Sequence, residues 1–324
     1  MSSAAPDISV VIVNYNSTEL LYRCLDSLRR QTYTDFEVLV VDNASESIPD
    51  PDKMPPLNLT LLRQASNLGF AAANNLGINA ARGDWVACLN PDAFVEPAWL
   101  QTLVKARAHN HEISFFGSCL LNADDTDLLD GTGDVYHVSG LAWRRDHGRS
   151  RSRVTRHGGE IFAPCAAAAL YRKSALVEVG GFDESYFCYF EDVDLGFRLR
   201  LKGHRCWYVP EARVLHLGSA ITGYRSDFSL YHGHRNMIWT YFKNMPTFMF
   251  WIFLPQHLLM NFIAIVRYGL IGQGPVVLKA KWHGLKGIFE RREQRRSVQS
   301  GRKISSWQLY RSMSKGILTP YIKR

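Results

Sequence analysis

The sequence predicts an α/β fold, a mixed sheet flanked by helices, with a C-terminal amphipathic, interfacial helical extension. Continuous β-branched runs at residues 8–13 and 36–41 flank a segment of helical period, which makes a strand–helix–strand unit. The pattern returns at 59–62, 70–81 and 85–89. From residue 231 onward the composition turns apolar, aromatic and basic.

The first strand ends at Asn14-Tyr15-Asn16 and the second at Asp42-Asn43-Ala44-Ser45. Between them Leu20, Leu21, Cys24, Leu25 and Leu28 share one helical face, with Ser17 or Thr18 as N-cap and Glu19 in the first turn. The strand at 59–62 follows a loop carrying Pro49, Pro51, Pro55 and Pro56, and the strand at 85–89 closes on Asn90-Pro91-Asp92. Ligands of open α/β sheets bind outside the carboxyl ends of the strands, which is where Asp42 and Asp92 fall. A turn or cap role is the alternative for either aspartate taken alone.

A helix is expected at 99–108, after which residues 122–140, rich in Asp, Gly and Thr, show no period. The basic run 144–153 reads as a mobile loop, either a solvated linker or a grip on phosphate. Residues 161–171 are apolar and Ala-rich, and a short helix at 174–179 stops at Gly180-Gly181. An aromatic stretch then leads into Glu191-Asp192-Val193-Asp194 and a helix with Leu195 and Leu199 on one face, Arg198 and Arg200 on the other. Short strands are expected at 206–209 and 214–217, the second carrying His216.

Residues 248–266 are apolar but interrupted by Pro255-Gln256-His257 and Asn261, so a re-entrant or interfacial pair of half-helices is expected rather than a spanning helix. Residues 279–289 and 305–322 mix Trp282, Leu285, Trp307 and Leu309 with Lys and Arg, as in helices lying in a headgroup layer; packing on the preceding domain is the alternative. The expected division is a catalytic domain at 1–245 and a basic, aromatic, membrane-associating region at 246–324.

The chain has 324 residues, 46% hydrophobic, enough for a full core. Its net charge of +8 conceals a split: residues 1–200 carry 18 Lys+Arg against 26 Asp+Glu, and residues 201–324 carry 20 against 4. A tail of +16 points to a polyanionic partner, and the interleaved Trp, Phe and Leu favour a membrane surface over nucleic acid. Six scattered cysteines without Cys-x-x-Cys spacing suit buried thiols, with no disulfide or zinc site expected. The first residues lack the basic start and apolar core of a secretory signal. The turn after the first strand has no Gly-x-Gly-x-x-Gly, which excludes a dinucleotide-dependent oxidoreductase.

Five segments in order carry a resemblance: Val11-Ile12-Val13-Asn14-Tyr15-Asn16; Val40-Val41-Asp42-Asn43-Ala44-Ser45; Asn67-Leu68-Gly69-Phe70-Ala71-Ala72-Ala73-Asn74-Asn75; Leu89-Asn90-Pro91-Asp92; and Gly180-Gly181-Phe182-Asp183-Glu184 with Tyr189-Phe190-Glu191-Asp192-Val193-Asp194. Over residues 8–245 the chain resembles the family 2 glycosyltransferases of GT-A, Rossmann-like fold, in particular their bacterial rhamnosyltransferase-like branch. The resemblance implies an inverting transferase that moves a sugar, L-rhamnose as first choice, from a dTDP- or UDP-sugar to a lipid-linked or lipopolysaccharide saccharide acceptor. It also implies peripheral or monotopic attachment to the cytoplasmic face of the inner membrane.

By that resemblance Asp42 reads the N3–H of uracil or thymine, with Tyr15, Asn16, Asn43 and Ser45 as further base and ribose contacts. Asn67, Gly69, Phe70 and Asn74 belong to the loop and helix that carry the nucleotide-sugar, where Gly69 allows close backbone approach. Asn90 and Asp92 stand where the family has Asp-x-Asp; Asp92, with His216, would hold Mg2+ or Mn2+ against the diphosphate. Asp192 resembles the catalytic base and Glu191 the residue that orients the acceptor. Asp194 is expected to cap the helix or pair with Arg198. Arg225, His232, His234 and Arg235 are candidates for the diphosphate of donor or acceptor.

Overall fold

Strands β1 (Ile8–Asn14) and β2 (Phe36–Asp42) are almost wholly buried and run parallel, in register from Ile8 opposite Phe36 to Asn14 opposite Asp42. Helix α1 (Thr18–Arg29) connects them and buries Leu21, Cys24, Leu25 and Leu28 against the sheet. β3 (Leu59–Arg63) extends the parallel edge, and α2 (Gly69–Ala80) returns the chain to β4 (Trp85–Leu89) on the other side of β1. The structure, a computed structural model, describes residues 5–153, 157–218, 226–316 and 319.

β5 (Ala93–Val95) and α3 (Trp99–His109) lead to β6 (Ile113–Asn122), a ten-residue strand for which the sequence pattern gives no signal. Its apolar run is broken by Ser114, Gly117 and Ser118, and tertiary partners account for each break. Ser118 accepts the indole N–H of Trp99 at 2.8 Å, Ser114 pairs with His204 Nδ1 at 2.9 Å, and a Cβ on Gly117 would press on Ile161 and Pro164. The short strands β7 (Leu129–Gly131), β8 (Asp134–Tyr136), β9 (Ala142–Arg144) and β10 (Gly159–Ile161) organise the stretch that shows no period. The basic run is an ordered partner of it rather than a loose loop. The N–H of Arg145 donates to Gly133 O, that of Gly148 to Leu129 O and that of Leu129 to Arg149 O, while Arg144 pairs with Asp130.

β11 (Ala168–Arg172) lies antiparallel between β4 and β6; α4 (Lys173–Glu178) and α5 (Glu191–Leu201) follow. β12 (Arg205–His216) is one strand where two were expected. Its register against β6 jumps between Val209 and Arg213, because Pro210 brings no N–H to the ladder and the intervening residues bulge out. Among the described residues the main sheet has the order β10-β12-β6-β11-β4-β1-β2-β3, with β5 on β12 and β7 on β6.

One face of the sheet packs on α1 and α3 and the other on α2, α4 and α5. Among the described residues the helices α6 (Asp227–Asn244), α7 (Thr247–Leu270), α8 (Gly274–Lys286), α9 (Arg292–Ser300) and α10 (Ser306–Ser312) follow. α7 corrects the expectation of two half-helices. Its 24 residues run through Pro255, and its polar interruptions mark the face turned to the domain. His257 stacks on Tyr241 at 4.0 Å and its Nδ1 lies 2.7 Å from Ser139 O, while Asn261 donates to His257 O at 2.7 Å. A third core cluster draws on both sides of residue 245, joining Tyr136, Phe162, Phe197 and Tyr241 to Met249, Leu309 and Met313. All six cysteines are unpaired and all but Cys188 are buried.

Candidate active site

Parallel pairing brings the carboxyl ends of β1, β2 and β4 to one edge of the sheet. β11, antiparallel to β4, starts at that edge, and β6 and β12 end there. Asp42 at the end of β2, Asp92 just past β4 and His216 at the end of β12 therefore lie along this edge although they are far apart in sequence, and Asp192, in the first turn of α5, is bonded to the segment entering β11. Backbone bonds tie the positions together: Asn90 N–H donates to Ala167 O (2.9 Å), Ala166 N–H to Asp192 Oδ2 (3.2 Å) and Leu217 N–H to Asp92 O (3.1 Å).

At the β1–β2 end, Asn14 Nδ2 donates to Asp42 Oδ1 (2.9 Å) and to Ser45 Oγ (3.1 Å), orienting the buried Asp42 carboxylate. Asn16 and Ala44 hold left-handed backbone, φ 49° and 64°, and the two turns interlock: Asn16 N–H donates to Ser45 Oγ and Glu46 N–H to Asn16 Oδ1. Tyr15 is half-buried beside them. Asn43 donates to Asn67 Oδ1 (2.8 Å) and accepts the Leu68 N–H (2.9 Å), drawing the next loop to the same end. Gly69 has φ 84°, and the space for a Cβ there is filled by the Phe187 ring, so the close approach that requires glycine is to this aromatic loop. Phe70 packs on Phe182 and Asn74 bonds back to Phe70 O, so both serve α2 itself. Asn75, which the sequence did not single out, exchanges two bonds with the Phe182 backbone and donates to Glu184, fastening the Gly-Gly-Phe-Asp-Glu segment to α2.

At the β4–β12 end, His216 Nε2 lies 3.4 Å from Asp92 Oδ1, and its Nδ1 lies 2.7 Å from Asp130 Oδ2. Burial opposes protonation of His216, but Asp130 and Asp92 outweigh it and raise its pKa. Burial also opposes ionisation of Asp130, yet His147, His216 and Arg144 hold it far below the usual carboxylate range. Asp92 Oδ1, His216 Nε2 and Asn90 Oδ1 are buried without hydrogen-bond partners. Among the described residues no three His, Cys, Asp or Glu side chains form a ready metal cage. A carboxylate oxygen facing an imidazole nitrogen, with a second carboxylate behind the ring, nevertheless suits a divalent cation whose other ligands come from a phosphate.

The acidic turn of α5 sits on a strained approach. Phe187, Tyr189 and Phe190 have φ of 65°, 67° and 67°. Asn236 holds this segment, its Nδ2 within 3.0 Å of the carbonyls of Tyr186, Cys188 and Tyr189. Asp192 Oδ1 also accepts its neighbour's N–H, from Val193 at 2.8 Å. Burial raises the Asp192 pKa, opposed by the Ala166 and Val193 N–H groups and by Arg144. Glu191 is buried with Oε2 unpartnered, and burial together with Asp192 pushes its pKa well above the usual value. Asp194 is wholly buried and ion-paired with Arg198 (2.7 Å) and Lys243 (2.8 Å).

The candidates on α6 are placed otherwise than a phosphate grip requires. Arg235 donates to Tyr186 O (2.9 Å) and Asn236 Oδ1 and stacks on Trp239 at 4.2 Å, so its donors brace the strained loop. Burial lowers the His234 pKa to about 3 and that of His232 to about 4, leaving both rings neutral at pH 7. Arg225 lies outside the described residues.

The sequence profile described as "Glycosyl transferase family 2" matches residues 9–180. The chain is 32% identical over 241 residues to the N-acetylglucosaminyl-diphospho-decaprenol L-rhamnosyltransferase of Mycobacterium tuberculosis (strain CDC 1551 / Oshkosh), covering 67% of this chain and 78% of that protein. In fold it is similar to Staphylococcus aureus TarS residues 1–349 in complex with UDP-GlcNAc (TM-score 0.57, 17% identity, 94% of this chain and 92% of that one). It is also similar to the mannosyltransferase PcManGT of Pyrobaculum calidifontis in complex with GDP-Man and Mn2+ (TM-score 0.55, 17% identity, 92% and 85%).

Proposed function

This chain belongs to glycosyl transferase family 2, a glycosyltransferase of GT-A fold and rhamnosyltransferase-like sequence, and on that premise we propose that it transfers L-rhamnose from dTDP-L-rhamnose, or a hexose from a UDP-sugar, to a hydroxyl of a lipid-linked or lipopolysaccharide saccharide in cell-envelope polysaccharide synthesis. The observation that carries this reading is that Asp42 and Asp92 lie at the ends of β2 and β4, on either side of β1, with Asp192 of α5 bonded to the segment entering β11 beside β4. Asp42, aimed by Asn14, accepts the N3–H of thymine or uracil, a donor that cytosine lacks. Asn90, Asp92 and His216 would hold Mg2+ or Mn2+, with Asp130 fixing the imidazole; such a cation would neutralise charge on the departing diphosphate.

Glu191 and Asp192 divide the proton chemistry between them. Burial and the neighbouring Asp192 favour the protonated form of Glu191, the form that can donate a hydrogen bond to the acceptor. Asp192 takes the hydroxyl proton as the new bond forms on the face opposite the leaving group, so the anomeric configuration inverts.

The C-terminal helices set this site against a membrane. α7 is long and apolar enough to cross a bilayer, but contacts on one side, from Met249 through Phe253 and His257 to Tyr268, dock it along the protein. Its other side is a stripe of Phe248, Trp251, Ile252, Leu259, Phe262 and Val266, with Phe248 71% and Trp251 65% exposed. α8 continues the surface with Leu278, Trp282, Leu285 and Phe289 beyond its end. Met249, His257 and Met260 are buried on the docked side, and a helix held to the protein in this way suits a position in the plane of the membrane. The exposed stripe supports a peripheral or monotopic attachment to the cytoplasmic face of the inner membrane, with Lys and Arg at headgroup level.

The donor is tested by thermal shift with a panel of dTDP-, UDP- and GDP-sugars, with and without Mn2+. We expect dTDP-L-rhamnose with Mn2+ to raise Tm most, Asp42→Ala to abolish that rise, and chelation or His216→Ala to weaken it. Equal stabilisation by GDP-mannose, or a shift that survives Asp42→Ala, would remove Asp42 from base recognition.

A further inference from the structure

Between the first turn of α7 and α9 lies a recess of about 380 Å³ lined by Thr247, Arg292, Arg295, Arg296 and Gln299. Its floor is fixed. Arg295 donates to the carbonyls of Phe242 and Met245 and to Thr247 Oγ1 (3.3 Å), and Gln299 donates to Lys243 O (3.2 Å) and Asn244 O (3.0 Å). Arg292 and Arg296 stand exposed on the rim, and no acidic side chain lines the space. The nearby acids lie outside it: Glu290 pairs with Arg291 at 3.5 Å and Glu293 is exposed on α9. The recess thus concentrates positive charge, and the N-terminal end of α7 adds the favourable pole of a long helix dipole.

Its surroundings identify the source of the anion. Phe248 and Trp251 follow Thr247 on the exposed stripe of α7, and Phe289, 66% exposed, lies under Arg292, whose guanidinium is 4.6 Å from the ring centre. With those three aromatic residues sunk at the membrane boundary, the recess stands at the depth of the lipid phosphates. It is separate from the transfer site: the buried Asp194, Lys243 and Asn244 lie between its floor and the acidic turn carrying Asp192. A lipid-linked acceptor must bring its hydroxyl to Asp192, on the far side of these buried residues.

We propose that this recess binds the phosphate of an anionic glycerophospholipid and so fixes how the enzyme is oriented on the membrane. The inference rests on the membrane reading above and adds a discrete site to it.

The test is sedimentation of the full-length protein with vesicles of phosphatidylcholine alone or containing phosphatidylglycerol, at constant ionic strength. Two variants are compared, Arg292→Gln/Arg296→Gln in the recess and Lys279→Gln/Lys286→Gln on exposed α8 positions outside it. Wild type is expected to prefer phosphatidylglycerol. The recess variant should lose about 30-fold in affinity for it and the α8 variant no more than about threefold. Equal losses in both variants would overturn the site in favour of diffuse charge. A thermal shift by inorganic phosphate, balanced against chloride, that is lost in the recess variant while both variants bind vesicles like wild type would overturn the lipid as the source and assign the recess to free phosphate. Failure of the wild type to bind either vesicle would overturn the membrane reading and the site together. The donor-induced thermal shift, measured without vesicles, must be the same in all three proteins, which separates these outcomes from misfolding and from failure of the transferase reading.

Discussion

Asp192→Asn is expected to lower kcat by about 10²- to 10⁴-fold, the range for loss of a positioned general base, while leaving the donor-induced thermal shift unchanged. The exchange keeps the size of the side chain, but the Ala166 and Val193 N–H groups bond to separate oxygens of the carboxylate, so the amide keeps only one of the two bonds. What it removes besides is the ability to take a proton. A companion variant reads the same group through its pKa. Burial lifts Asp192 above its ordinary value and Arg144 opposes the lift, so removing that guanidinium must raise the pKa further. Activity requires ionised Asp192 and is lost as pH falls through that pKa. In Arg144→Met the acid limb of the kcat/KM profile should therefore move to higher pH. Near-normal turnover by Asp192→Asn would remove it from the role of base, and an unmoved acid limb in Arg144→Met would dissociate the arginine from it.

What the sequence made legible follows from where the information is local. The strand–helix alternation of β1, α1, β2, β3, α2 and β4 could be read because each strand is continuously apolar and each connection has its own period. β6 escaped because Ser114, Gly117 and Ser118 look polar or small until their partners on other elements are known. The acidic turn was visible, but what aims it was not. Asn236 comes from a helix more than 40 residues downstream, with no motif to mark it, and Arg144 opens a basic run that resembles solvated linker. Asp130 lay in the stretch without period, and only the fold places it behind His216. His234 and Arg235 have the residue types for phosphate binding; burial and committed hydrogen bonds decide against them. The half-helix expectation failed for a related reason. Polarity within an apolar run was read as a break, whereas it marks the docked face of one helix.

Lys243→Met is expected to destabilise the fold by about 3–5 kcal/mol, the cost of removing one partner from a buried ion pair. Lys243 is 1% exposed and lies between Asp194, at 2.8 Å, and Asp183, which it also contacts; Asn244 donates to Asp194 at 2.7 Å. Without the ammonium, Asp194 keeps Arg198, but Asp183 loses its only cation among the described ion pairs. The pH dependence carries the sign. Burial opposes ionisation of Asp183, yet Lys243 brings its pKa down to about 2 from an ordinary 3.8. A depressed carboxylate pKa gives stability that is fully present above the unfolded value, roughly pH 4, and is lost as pH falls toward 2. The shift corresponds to about 2–3 kcal/mol. Urea unfolding of wild type should therefore show stability falling between about pH 4 and 2, and the difference from Lys243→Met should narrow over the same interval. Equal stability of the two proteins at pH 7 would mean that the cluster contributes nothing net. The consequence reaches the site, because Asp183 starts the turn leading into Tyr186 and Phe187, and Asp194 lies in the first turn of α5 beside Asp192. A Lys243 variant that still folds should lose kcat before it loses donor affinity, since the proposed function has the donor gripped at the ends of β1, β2 and β4 and the base aimed by α5.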